Sequence, residues 1–440
     1  MDDFSQLMSK ETKRKIGSIK KYINKITYSK KFKKIKRNIK KKIKLPKGSN
    51  KIEVKDINKS NKNEITNNQK MVKKRNAGID LLRIITMIGI VYTHVLHQGN
   101  GLNKYNKYKN KINSSYTYFF WHDNAFALIS GVVGYKSTKY SNLLYLWLCV
   151  VFYSVGFHYY YLKYKKVANI DTVLYKEYFP VIYGRYWYFT SYFGMFLFLP
   201  AVNKGIQYLN KPEFKALVMS IFGIFVVWQS YMNSKQDHFK MNDGLSTIWL
   251  LCLYIIGGYI GKFNIVYFGI KRYIFSFIYL LIFFFFCFIH NKYINYTIIE
   301  YNGNYKKKLI NFIKRLLSDK LNQICCVVRT SQAITLTLFF LQLKYNEYLS
   351  KLFTFIGPLT FAVYLIHLNS NVSKHYLSKI LAGESYDLKA NEVIQMFILK
   401  SVKIFVGCII LDYLRHLLFT TLKIRKICIL AEKIYFKIIS

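Results

Sequence analysis

Acidic residues are scarce in this 440-residue chain: 21 Asp and Glu stand against 67 Lys and Arg, a formal net charge of +46. A Lys- and Asn-rich background of the kind an AT-rich genome encodes accounts for part of that excess. A specific anionic partner is the other reading, and no nucleic-acid partner is expected. The seven cysteines, at 149, 252, 287, 325, 326, 408 and 428, show no C-x-x-C spacing, and four of them lie in apolar runs. Neither a disulfide framework nor a metal site is therefore expected. Residues 1–75 lack the apolar core of roughly 7 to 15 residues that a secretory signal carries. They are expected to form a basic cytosolic tail, either disordered or lying as a basic helix on anionic lipid. What the chain does have is 52% apolar and 18% aromatic residues, more than an ordinary soluble protein of this length carries between polar breaks. The sequence reads as a membrane protein.

Apolar segments of about 20 residues, each enough to cross a hydrocarbon core of about 30 Å, fall near 78–98, 117–135, 142–161, 186–203, 214–232, 245–262, 273–291, 331–344, 354–370 and 395–420. The fold class expected is an all-α polytopic membrane helix bundle of about ten transmembrane helices. The eighth segment is short, and beginning it at Ile324 would carry Arg329 into the bundle. Lys73, Lys74 and Arg75 precede the first segment and place the N-terminus in the cytosol by the positive-inside rule. An even number of crossings returns the C-terminus there, with 421–440 as a basic amphipathic helix on the interface. The expected domains are thus 1–75, a membrane domain over 76–420 with a loop insertion near 292–330, and 421–440. Lys104–Lys111 and Lys306–Lys320 run against the charge rule, which long loops tolerate. Glycosylation acceptors at Asn113, Asn295 and Asn371 fall in expected outside loops, and Asn58 falls inside.

The segment 78–98, GIDLLRIITMIGIVYTHVLHQ, is interrupted by Asp80, Arg83, His94 and His97. Asp or Arg at a helix centre in a bilayer costs roughly 2.5 to 3.5 kcal/mol each, so such groups are read first as functional. At about 100° per residue, Arg83 and His94 fall within about 20° of one stripe and roughly 16 Å apart along the axis. They cannot touch, but they can hold two parts of one long ligand. Arg83 suits a phosphate or carboxylate, or an i, i+3 pair with Asp80. A neutral His94 suits a general base, or a histidine that only bonds neighbouring helices.

Arg83 and His94, ten residues apart within IDLLRIITMIGIVYTH, resemble the first membrane helix of the acyltransferase type 3 family, polytopic enzymes that O-acylate sugars. ALISG at 127–131, RYWYFTSYFGMFLFLP at 185–200, PLTFAVYLIH at 358–367 and LDYLR at 411–415 resemble later elements of that family in the same order. The resemblance spans about 75–420. It implies that His94, with Arg83, is catalytic. It also implies that acyl-CoA is the donor co-substrate, with no further cofactor, that the acyl group is acetyl, and that the acceptor is a carbohydrate hydroxyl. Lys136 and Lys139 occupy the place where the family carries an arginine pair that meets the donor phosphates; as lysines they keep the charge and lose bidentate geometry, and topology anchoring explains them equally. Arg185, Trp187, Tyr188 and His122 are the expected acceptor-binding residues. Asp123 with His122 could orient a base, but adjacent residues point different ways, and the two are expected to diverge. His97 and His367 are expected near the membrane surface, the alternatives being assistance to His94 for the first and an acceptor contact for the second, and Asp412 with Arg415 as an intramembrane ion pair. No hydrolase-like domain follows the last segment, so transfer would be completed within the membrane domain. A glycan or lipid-linked-sugar transporter and a catalytically silent relative remain rival readings.

Overall fold

The computed structural model describes residues 75–164, 174–231, 237–263, 265–301 and 323–439. The tail through Lys74, Asn58 and the Lys306–Lys320 block lie outside these residues. The chain divides into Met1–Lys74 and Arg75–Ser440, and the helix bundle lies within the second unit.

Among the described residues there is helix, turn and loop, and no strand. The principal helices are α1 (Ala77–His97), α2 (His122–Gly134), α3 (Tyr140–Lys163), α4 (Trp187–Tyr208), α5 (Lys211–Ile221), α6 (Thr247–Phe263), α7 (Gly269–Tyr301), α8 (Val327–Gln342), α9 (Glu347–Ile356), α10 (Thr360–His367) and α11 (Ala390–Thr421), followed by α12 (Ile424–Ile439). A π-helical stretch, Phe222–Trp228, prolongs α5, and a single 3₁₀ turn, Gly357–Leu359, joins α9 to α10. Helix stands at each of the ten segments read from the sequence. Five stretches are long and apolar enough to cross a membrane by length and composition: α1, α3, Gly269–Lys292 of α7, α9 through α10, and α11.

Two boundaries differ from expectation. Helix α8 begins at Val327, before the expected 331, and so takes Arg329 inside. Helix α7 runs on to Tyr301, past the expected start of the 292–330 insertion, so Asn295 lies in a helix. Asn113 and Asn371 likewise fall in short helices, Lys109–Tyr116 and Ser370–His375.

Helix α1 is the axis of the bundle. The Asn76 side chain caps it, accepting from the amides of Gly78 and Ile79 at 2.9 and 3.2 Å, which satisfies two N–H groups that a helix start leaves open. From there α1 packs against α2, α8, α9, α10 and α11. Ile79 and Leu82 belong to one apolar core, shared with α2, α4, α6 and α8. Met87, Ile90, Val91 and Val95 belong to a second, shared with α3, α10 and α11.

Helices α2 and α6 meet backbone to backbone. A Cβ on Gly131 would overlap the carbonyl of Tyr254, and Cβ atoms on Gly257 and Gly261 would overlap those of Leu128 and Val132. Small residues four apart are how membrane helices approach this closely, since lipid supplies no hydrophobic drive between them. Helix α7 instead turns Phe277, Phe284, Phe285 and Phe288 outward, as a lipid-facing helix should. On α11, Asp412 and Arg415 form the expected buried pair at 2.6 and 3.0 Å. Tyr153 of α3 donates to the same carboxylate at 2.7 Å, tying the two helices together.

Candidate functional site

Two cavities lie along α1, one at Arg83 and one at His94. The Arg83 cavity, about 410 Å³, is lined by Arg75, Arg83, Tyr192 and Pro358, with Arg425 contributed by α12. The His94 cavity, about 240 Å³, is lined by Thr93, His94, His122, Asp123, Trp187 and Tyr364 among others. Phe126, Tyr188 and Phe361 line both. The two chambers are therefore neighbours, parted by aromatic rings of α2, α4 and α10.

At the Arg83 end, the fully buried carboxylate of Asp80 accepts from Arg75 and from Arg83, each at 2.6 Å. It packs against Gly357, where a Cβ would come within 2.7 Å of its Oδ1. One carboxylate thus serves two guanidiniums, and among the described residues Arg425 meets neutral partners, donating to Asn142 at 3.0 Å and lying over the Tyr145 ring. Three cations against one anion leave this chamber positive, a setting for a polyanion.

At the other end, the hydrogen bonds fix which nitrogen carries each proton. His367 Nδ1 lies 2.5 Å from the Val363 carbonyl; a carbonyl only accepts, so Nδ1 carries the hydrogen. In the neutral ring Nε2 is then a lone pair, and it faces His94 Nδ1 at 3.0 Å. His94 must donate there, which leaves its own Nε2 unprotonated. Burial corrects the expectation for His367: it is 2% exposed and is the group that orients His94, because the α10 turn ends inside the bundle rather than at its surface. His97 is exposed, as expected, and meets Tyr116 edge-on.

His122 Nε2 lies 3.0 Å from the Thr93 hydroxyl, which itself lies 2.9 Å from the Gly89 carbonyl. With the hydroxyl hydrogen spent on that carbonyl, His122 Nε2–H is the donor to Thr93. Its Nδ1 lies 3.2 Å from Asp123 Oδ1. This corrects the expectation that the adjacent His122 and Asp123 diverge; at the first turn of α2 both reach the same cavity.

Trp187 and Tyr188 line the His94 cavity, and the buried Tyr188 hydroxyl has no hydrogen-bond partner among the described residues. Arg185 does not line it and is ion-paired with Glu177 of the short helix Leu174–Tyr178. Burial raises the Glu177 carboxyl above its ordinary range, and the Arg185 charge offsets part of that. Lys136 and Lys139 are exposed and line neither cavity. Lys139 is one turn before Asn142, which lines the Arg83 cavity. Sequence reasoning passed over Arg75, read only as a topology signal, and Arg425, assigned to an interfacial helix.

The family model for an acyltransferase domain, Acyl_transf_3, matches residues 76–414. The chain belongs to the acyltransferase 3 family. It is a membrane acyltransferase, and the resemblance read from five short motifs holds across the bundle. No curated protein and no solved structure matches the chain. The match covers α1 through most of α11, and so most of the lining of the two cavities, but leaves out Arg75, one residue before it, and α12 with its Arg425. Among the described residues of this acyltransferase no group of three His, Cys, Asp or Glu is placed to hold a metal.

Proposed function

We propose that this acyltransferase carries an acyl group, most simply acetyl, from acyl-CoA to a hydroxyl of a carbohydrate, with the donor in the Arg83 cavity and the acceptor in the His94 cavity. The observation that supports this reading best is the orientation of His94, whose Nε2 is left as a free base beside a chamber that adjoins a tri-arginine pocket. The pantetheine arm would pass the Phe126, Tyr188 and Phe361 rings. The two ends of such a donor suit a spacing of roughly 16 Å along α1.

In this reading the acceptor hydroxyl gives its proton to His94 Nε2 as its oxygen attacks the thioester carbonyl. The unpartnered Tyr188 hydroxyl donates to the developing oxyanion. The intermediate then collapses, the C–S bond breaks, and the leaving thiolate takes the proton back from His94. Arg83, Arg75 and Arg425 hold the phosphates, with Lys136 and Lys139 as an outer approach. Trp187 and His122 wall the acceptor, and Arg185, locked by Glu177, sets the start of α4.

The test is acceptor-dependent CoA release by purified protein in nanodiscs. His94→Gln keeps hydrogen bonding but cannot accept a proton, so kcat should fall roughly 100- to 10,000-fold, as for loss of a positioned base. Near-normal turnover in that variant would remove His94 from the mechanism. Glycan movement across the bilayer without CoA release would favour the transporter reading.

A further inference from the structure

One buried charge has no part in the acyl-transfer chemistry. Arg329, in the first turn of α8, is 6% exposed, yet its guanidinium forms no hydrogen bond or ion pair with any described residue, and Nε is buried unpartnered. It lies over Phe120, 3.2 Å from the ring centroid. Phe120 packs on Tyr116 and on His290, each at 4.3 Å, and Tyr116 is a wall of the His94 cavity. The guanidinium is therefore one ring behind that wall.

The surroundings are short of negative charge. Among the described residues Arg329 interacts electrostatically with Tyr116, Cys325, Cys326, Asp123, His97 and His290, and of these only Asp123 is a carboxylic acid. Its carboxylate already faces His122 at 3.2 Å. His290 is fully buried with both ring nitrogens unpartnered. The Phe120 face offsets part of the cost of burying the cation but occupies none of its five N–H donors. A planar fork of donors with no carboxylate of its own matches the two oxygens of a carboxylate or phosphate.

We propose that Arg329 binds an oxyanion carried by the acceptor, a carboxylate or a phosphate, so that the carbohydrate acylated beside His94 is an acidic one. This rests on the acyl-transfer reading of the two cavities and adds the acceptor's charge to it. Arg83 and Arg329 then divide the labour: one end of the bundle receives the anionic donor and the other an anionic acceptor.

The experiment uses the full chain in nanodiscs of neutral lipid, with acetyl-CoA and three matched probes: glucose, glucuronic acid and glucose 6-phosphate. Melting temperature and CoA release are both read. A charged probe should stabilise the protein and support release at lower concentration than glucose does, and the two charged arms tell carboxylate from phosphate. Arg329→Gln should raise the half-saturating concentration of that probe about 10- to 100-fold, the worth of a charge-assisted bond, without changing the response to glucose. Arg329→Lys should retain part of the effect. Equal responses of wild-type protein to glucose and both charged probes, or no response to any, would overturn the proposal even if the Gln variant fails to fold. Arg329-dependent stabilisation by a charged probe without CoA release would uphold oxyanion binding at Arg329 while overturning the acyl-transfer reading, and with it the claim that the bound sugar is acylated.

Discussion

At the residue scale, the pairing of His94 with His367 decides the chemistry available. A lone imidazole can place its proton on either nitrogen. Here the Val363 carbonyl dictates the tautomer of His367, and His367 dictates that of His94. Changing His367 to Phe keeps a ring of similar size and removes the acceptor, so His94 loses the bond that directs its proton away from the cavity. The expected outcome is a fall in kcat on the order of 10- to 100-fold, the range seen when a histidine loses its orienting partner, with little change in KM. Steady-state CoA release with both substrates varied measures it; an unchanged kcat would make His367 a packing residue only. Both histidines could be picked from the sequence, but not their meeting. They are 273 positions apart, and a histidine closing an apolar segment reads as a surface group until the fold shows the helix ending inside.

At the element scale, the same limit applies to glycine. Gly131, Gly257 and Gly407 look alike in the sequence, each within an apolar run. In the structure the first two hold α2 and α6 in backbone contact, whereas nothing lies within 4 Å of a Cβ built on Gly407. Gly257→Leu should therefore force the helices apart and cost about 1 to 3 kcal/mol, as overpacking does. Gly407→Ala should be neutral or stabilise by up to about 1 kcal/mol through helix propensity. Thermal unfolding in detergent, followed by loss of monodispersity, compares them; equal melting temperatures for the two variants would contradict the packing argument. Helix positions themselves were legible, because each is written as a run of apolar residues. The early start of α8 was legible as well, from the shortness of its segment.

At the scale of the whole molecule, charge is distributed unevenly along α1, and the positive end is the one proposed to take the donor. The Arg83 cavity collects arginines from the residues just before α1, from α1 and from α12. If both termini are cytosolic, as the positive-inside pattern leads one to expect, the proposed donor end would open to cytosolic acyl-CoA. Sealed inside-out vesicles should then consume added acyl-CoA while right-side-out vesicles do not, and the reverse result would invert the topology. In the competent vesicles, Arg425→Gln should raise the KM for acyl-CoA about tenfold and leave the acceptor KM unchanged. The double change Lys136→Ala, Lys139→Ala should act more weakly, because exposed charges are screened by salt.

The sequence by itself determined that this is a helical membrane protein, that α1 carries its polar stripe, and that the stripe belongs to an acyltransferase. Those properties are local: an apolar run, a period of 3.6 and a handful of ordered motifs survive in one dimension. Only the tertiary structure decided that Asp80 serves two arginines, that His367 turns His94 toward its cavity, that Arg425 reaches back to Asn142 of α3, and that Arg329 is buried with no hydrogen-bonded or ion-paired acid among the described residues. Each of these depends on which helix packs beside which, and contacts between residues far apart in the chain leave no periodicity for a single sequence to show.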